Sequence, residues 1–253
     1  EAGEYGFDKF AAIEGENAAS VNWSKLIQSI NMYIRKLNWN YKTDLRTNLV
    51  KYYNAFATFV DPHTIALTSK NGSVENVTAK NILIACGGRP SLGGYPGSEE
   101  CCISSDDIFW RQPPPGKTLV VGASYIALEC AGFLAGLGVD TTVMVRSILL
   151  RGFDQDLAEK IGKSIEKRGV NFVKGVVPSK FQKNSDGKVT VYVGDQVFGV
   201  YDTVLMAVGR SGLATQLDLS KVGVLFKETN GKIFANEKDQ TNLPHVFAIG
   251  DIV

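Results

Sequence analysis

The segment from Lys117 to Gly175 restricts most tightly what this chain can fold into. Its hydrophobic pattern changes period four times. KTLVVG reads as a buried strand, SYIALECAGFLAGLG as a helix, DTTVMV as a strand, DLAEKIGKSIEKRG as an amphipathic helix and NFVKG as a strand. Strands joined through helices run parallel, with right-handed crossovers. The expectation is therefore an α/β fold, a Rossmann-like βαβαβ sheet. A β-meander follows around VTVYV and QVFGVYD, the apolar strand TVLMAVG comes next, and the chain closes on HVFAIGDIV.

The first strand-to-helix turn carries chemistry. Gly122-Ala123-Ser124-Tyr125-Ile126-Ala127 is a G-x-S-x-x-A variant of the dinucleotide fingerprint, placed after a strand and opening a helix. Gly122 permits the tight turn, and the amides at the helix start, with their partial positive charge, suit a pyrophosphate. Ser124 stands where a second glycine is usual, so its hydroxyl must tolerate a phosphate or bond to it. The end of the second strand selects the nucleotide. A carboxylate there accepts the ribose 2′-hydroxyl of NAD, whereas a cation meets the 2′-phosphate of NADP. Arg146 follows TTVMV directly and Arg151 lies five residues on. The planar guanidinium fork matches phosphate oxygens, so NADPH is expected. Tyr125 and Glu129 share a helix face. They read either as a ring and carboxylate near the reactive end of the cofactor or as a buried tyrosine with a carboxylate partner.

Upstream, WSKLIQSINMYIRKL (23–37) places apolar residues at helical spacing. Residues 49–69 read as strand, broken by a turn at Asp61-Pro62-His63, and Asn71-Gly72 reads as a hairpin turn before VENVTAKNILIACG. The Gly- and Pro-rich residues 87–99 and the QPPPG stretch at 112–116 read as crossings between domains. With a net charge of +1 across 253 residues, nothing marks a nucleic-acid or anionic-membrane surface. No apolar run reaches the roughly 18 residues of a membrane span. Cys86, Cys101, Cys102 and Cys130 lack metal-ligand spacing and read as unpaired thiols in a reducing compartment. His63 and His245 are far apart in sequence and suggest neither a metal site nor a triad.

Taken together, GASYIALECAGFLAGLG and VMVRSILLRGFDQD resemble the NADPH domain of the large, animal-type thioredoxin reductases and of the thioredoxin–glutathione reductases. Three further motifs fit the same flavoprotein disulfide reductase plan. ILIACGGRP resembles the A-T-G-x-R-P handover between FAD and NADPH domains, VLMAVGR the returning strand, and TNLPHVFAIGD the second FAD motif. The resemblance implies that Gly122, Ala123, Ser124, Tyr125, Ile126, Ala127, Leu128 and Glu129 line the NADPH phosphates and nicotinamide. Tyr125 would be a gate over the flavin. Arg146, Ser147, Arg151 and Gly152 would hold the 2′-phosphate, and Gly209 and Arg210 would flank the cofactor. For FAD it implies Phe56 and Ala57 at the adenine, Cys86 and Gly87 at one flank, and Gly250 and Asp251 at the ribityl and pyrophosphate. Cys86 stands where the family has threonine, and Gly88 where it has an acidic residue.

The implied organisation is a partial FAD-binding domain over residues 1–112, an NADPH-binding domain over 113–238 and a return to the FAD domain over 239–253. Glu1 reads as a cut or processed start, and no C-x-x-x-x-C redox motif occurs in the chain. The expectation is thus the centre of a homodimeric, cytoplasmic or mitochondrial enzyme that passes hydride from NADPH to FAD and electrons to thioredoxin. This piece would bind NADPH without completing the reaction. The alternatives are a glutathione reductase-like enzyme and a non-catalytic nucleotide-binding scaffold.

Overall fold

A computed structural model describes residues 21–253; the expectation about the first residue lies outside them. The helix α1 (Trp23–Thr47) starts where Asn22 Oδ1 accepts the Lys25 amide at 3.0 Å. It buries Trp23, Ile27 and Asn31, and the Trp23 indole donates to the Arg111 carbonyl at 2.7 Å. The expected helix stops at Leu37; the observed one continues to Thr47. Its last turns bury nothing, so no apolar stripe marks them, but no glycine or proline interrupts them either. The chain then forms β1 (Ala55–Asp61), β2 (Thr64–Ser69), β3 (Val74–Thr78), β4 (Ile82–Ile84) and β5 (Gly88–Pro90). Residues 50–54, expected as strand, precede β1 as irregular backbone.

Backbone contacts divide the chain into two compact units. The first comprises the described residues through Asn38 together with Pro90–Gly209, and the second Trp39–Arg89 together with Arg210–Val253. In the first unit the chain runs through α2 (Ser98–Cys101), β6 (Thr118–Val121), α3 (Tyr125–Gly136), β7 (Thr141–Val145), α4 (Gln155–Glu166) and β8 (Asn171–Lys174). The meander β9 (Lys180–Lys183), β10 (Val189–Val193) and β11 (Gln196–Tyr201) follows, then β12 (Thr203–Met206). The expected parallel sheet is present, with strand order β12-β6-β7-β8. Because side chains alternate along a strand, the sheet feeds two cores. Val120, Val143, Val145 and Leu205 pack with α3 and with Trp23 and Ile27. Leu119, Val121, Met144, Val204 and Met206 pack with Phe181, Val189 and Val191 of the meander.

These unit limits differ from the expected domain limits at 112/113 and 238/239. Residues 90–112 join the first unit: Phe181 donates to the Pro96 carbonyl at 2.9 Å, and Ile103 bridges to Leu205 beside the sheet. The proline run is equally held. Pro115 accepts the Thr203 hydroxyl, and the Lys117 amide donates to Asp202 at 2.8 Å.

In the second unit β1, β2 and β3 form antiparallel hairpins. The second turns at Asn71 and Gly72 as expected, with Gly72 at φ +84°. Strand β13 (Arg210–Gly212) pairs with β5, β14 (Phe226–Lys227) with β15 (Lys232–Ile233), and β16 (Val246–Ala248) lies parallel to β4. Phe59, Ile84, Leu219, Val246 and Ile252 make its core. The two histidines, distant in sequence, meet here: their rings stack at 4.3 Å, and each bonds a backbone carbonyl, of Ala79 and Pro62 respectively.

Candidate functional site

All four parallel strands of the first unit end at one edge, and the segments that follow them line a single groove of about 520 Å³. Gly122 to Tyr125 follow β6, Arg146 to Ile148 follow β7, Val176 to Pro178 follow β8, and Ala207 to Gly209 follow β12. A ligand at the carboxyl edge of a parallel sheet is the general rule for such folds. Gly122 adopts φ +132°, and a Cβ there would overlap the Ala207 carbonyl oxygen, so β6 and β12 approach this closely only with glycine at this position.

Ser124 does something other than contact a phosphate. Its hydroxyl donates to the Ala207 carbonyl at 3.3 Å and accepts the Ala127 amide at 3.4 Å, which makes it the N-cap of α3. The amides of Ser124, Tyr125 and Ile126 meet no protein acceptor among the described residues. They form the donor set that a pyrophosphate fits. Tyr125 is 53% exposed and lines the groove. Glu129 is exposed one turn on and outside the lining, so the buried-pair reading of these two residues fails. Ala127 and Leu128 are core residues at 0% and 4% exposure, with Ile126 packed against the same cluster.

The arginines stand on the loop after β7. Both are exposed and line the groove, and among the described residues neither has a carboxylate partner. Arg151 Nη2 donates to Ser147 Oγ at 2.7 Å. Gly152 lies between the lining residues Arg151 and Phe153 without lining the groove itself. Gly209 lines it, whereas Arg210 belongs to the second unit and donates to the Gly88 carbonyl at 3.0 Å. The sequence reading missed Ser91, Gly93 and Tyr95, which also line the groove. Their signal was Gly93: at φ +81° its Cα faces the Tyr95 ring, where a Cβ would come within 2.7 Å.

The residues matched to FAD all sit in the second unit, and all are exposed except Gly87, which is half-buried. The parallel pairing of β4 and β16 brings Cys86 and Gly87 to the same edge as Gly250 and Asp251. Both glycines have left-handed φ values, +66° and +74°, with open space where a Cβ would point. Asp251 has no ion pair among the described residues, and Phe56 is 50% exposed on β1. Open glycine backbone, an unpaired carboxylate and an exposed ring fit the hydroxyls and the adenine of such a cofactor. The Cys86 thiol is held above its ordinary pKa, chiefly by burial.

A parallel sheet whose carboxyl edge carries a glycine turn, free helix-start amides and unpaired arginines defines a dinucleotide-binding α/β protein. More narrowly, the chain belongs to the family described as pyridine nucleotide-disulphide oxidoreductase, which matches residues 9–253. The thioredoxin reductase SEP1 of Emiliania huxleyi is 47% identical over 236 residues, covering 92% of this chain and 47% of that protein. In fold the chain is similar to the HOCl-induced flavoprotein disulfide reductase RclA of Escherichia coli, at a TM-score of 0.81 and 20% identity over 92% of this chain and 53% of that one. The Cu(II) complex of the same reductase superposes with a TM-score of 0.82 at 20% identity, with the same coverage. The chain therefore spans about half the length of these relatives. The family resemblance read from the sequence is borne out.

Proposed function

We propose that this chain carries the NADPH seat and part of the FAD seat of a homodimeric flavoprotein disulfide reductase that reduces thioredoxin. The observation that carries the cofactor choice is the pair Arg146 and Arg151, exposed and without carboxylate partners beside the Gly122 turn. A guanidinium in that position gains most from a ligand phosphate, because no internal anion competes for it. The start of α3 receives the pyrophosphate on its free amides, and Gly122 keeps the approach clear. Tyr125, half exposed at the groove, offers a flat face to a planar ring. When bound, the nicotinamide supplies a hydride and the flavin passes the two electrons to a disulfide. The protein's own contribution is positioning. Thioredoxin as the acceptor is supported by the likeness to a thioredoxin reductase.

The test is titration of the chain with NADPH and NADH. NADPH should bind at least about tenfold tighter, and Arg146→Ala with Arg151→Ala should remove that preference. Equal affinity in the unaltered protein overturns the cofactor choice. In the full-length protein, NADPH oxidation should accelerate with oxidised thioredoxin; acceleration by glutathione disulfide alone overturns the substrate.

A further inference from the structure

The loop that carries the arginines is held in a conformation its own sequence disfavours. Leu150, a bulky residue, adopts φ +46°, in the left-handed region. Its side chain is 8% exposed and belongs to the core beneath the sheet, and its amide donates to the Ala123 carbonyl at 2.8 Å. That bond joins the loop to the turn that faces the pyrophosphate. A second restraint comes from Gln155, the first residue of α4. Its carboxamide Nε2 faces three carbonyls of the loop: Phe153 at 3.0 Å, Leu150 at 3.3 Å and Leu149 at 3.5 Å. Three acceptors around one atom fix which end of the amide points inward, since only nitrogen can donate.

The structure assigns to Gln155 the role of a positioning residue for recognition of the nucleotide 2′-phosphate: its carboxamide clamps residues 149–153, and so sets Arg151 against the Gly122 turn. This rests on the NADPH reading given above. Gln155 is exposed and does not line the nucleotide groove, so it selects the cofactor without contacting it. Substitution by glutamate keeps shape and size but turns a carboxylate toward three carbonyl oxygens, which repel it. Methionine keeps the bulk and removes the donor.

The experiment measures binding of adenosine 2′,5′-bisphosphate and of 5′-AMP to the unaltered chain, Gln155→Glu and Gln155→Met. Amide hydrogen exchange across residues 147–153 is followed in parallel. The expected result is weakening of the bisphosphate by about tenfold in Gln155→Glu, and by less in Gln155→Met, with 5′-AMP changed by less than about twofold. Exchange in the loop should accelerate in both variants while the parallel sheet stays protected. An unchanged bisphosphate-to-monophosphate ratio, or unchanged exchange in the loop, overturns the assignment. An equal loss of both ligands also overturns it, as it reports a purely structural role. An unaltered chain that does not prefer the bisphosphate overturns the NADPH reading itself, and this inference with it.

Discussion

The backbone of Gly122 passes so close to the carbonyl of Ala207 that the smallest side chain would overlap it, and the glycine sits at φ +132°, where side chains are strained. Gly122 directly follows β6 and Ala207 directly follows β12, neighbouring strands of one parallel sheet. Gly122→Ala therefore strains the backbone and pushes apart the strand ends that form the groove floor. It should destabilise the protein by about 2–4 kcal/mol in chemical denaturation and abolish measurable NADPH binding. A variant with near-normal stability and full binding would show that the sheet edge yields where the packing says it cannot.

Much of this site was legible because its signals are local. The switch from strand to helical period between Lys117 and Gly175 encodes the parallel sheet, and the G-x-S-x-x-A turn sits where the fingerprint requires it. Asp154 caps α4, its carboxylate accepting the Leu157 amide at 2.9 Å, a local signal that the sequence reading did not single out. What escaped depends on contacts distant in sequence. Ser124 could be placed at the phosphate turn, but not its bond to Ala207, which lies 83 residues away. The Gly- and Pro-rich residues 87–99 look like a linker in composition, yet Ser91, Gly93 and Tyr95 line the groove. Ile126 and Ala127 lie within the fingerprint and Leu128 just beyond it, but a helix has only one face toward the ligand, and these residues face the core. The histidine stack unites residues from the two separate segments of the second unit, so no period could reveal it.

Trp23 tests how α1 is held to the first unit. Its ring is 5% exposed, and its indole nitrogen donates to the Arg111 carbonyl at 2.7 Å. Trp23→Phe keeps most of the apolar contact but leaves that carbonyl without its donor. The expected cost is about 1–3 kcal/mol in thermal or chemical unfolding, with NADPH affinity unchanged because the residue does not line the groove. A loss of nucleotide binding without a loss of stability would contradict this division.

The thiols give a pH dependence whose sign is fixed by burial. Burial pushes the Cys102 thiol up to about 12 and the Cys130 thiol up to about 11. Unfolded cysteines ionise near about 8.5. Above that pH the unfolded chain releases protons that the folded chain still holds, so stability falls with rising pH. The contribution is fully present below about pH 8.5 and is lost progressively up to about 11–12. Each thiol adds at most about 1.4 kcal/mol per pH unit to the slope, and less where solvent reaches it. Cys130→Ala, which removes a side chain of 3% exposure from the core, should lower stability at pH 7 but flatten its fall above pH 9. In the native protein at pH 8, an alkylating reagent should modify the exposed Cys86 and spare Cys102 and Cys130 until the chain is unfolded. Rapid native-state labelling of Cys130, or an unaltered alkaline slope in Cys130→Ala, would show that this thiol is not sealed on the buried face of α3.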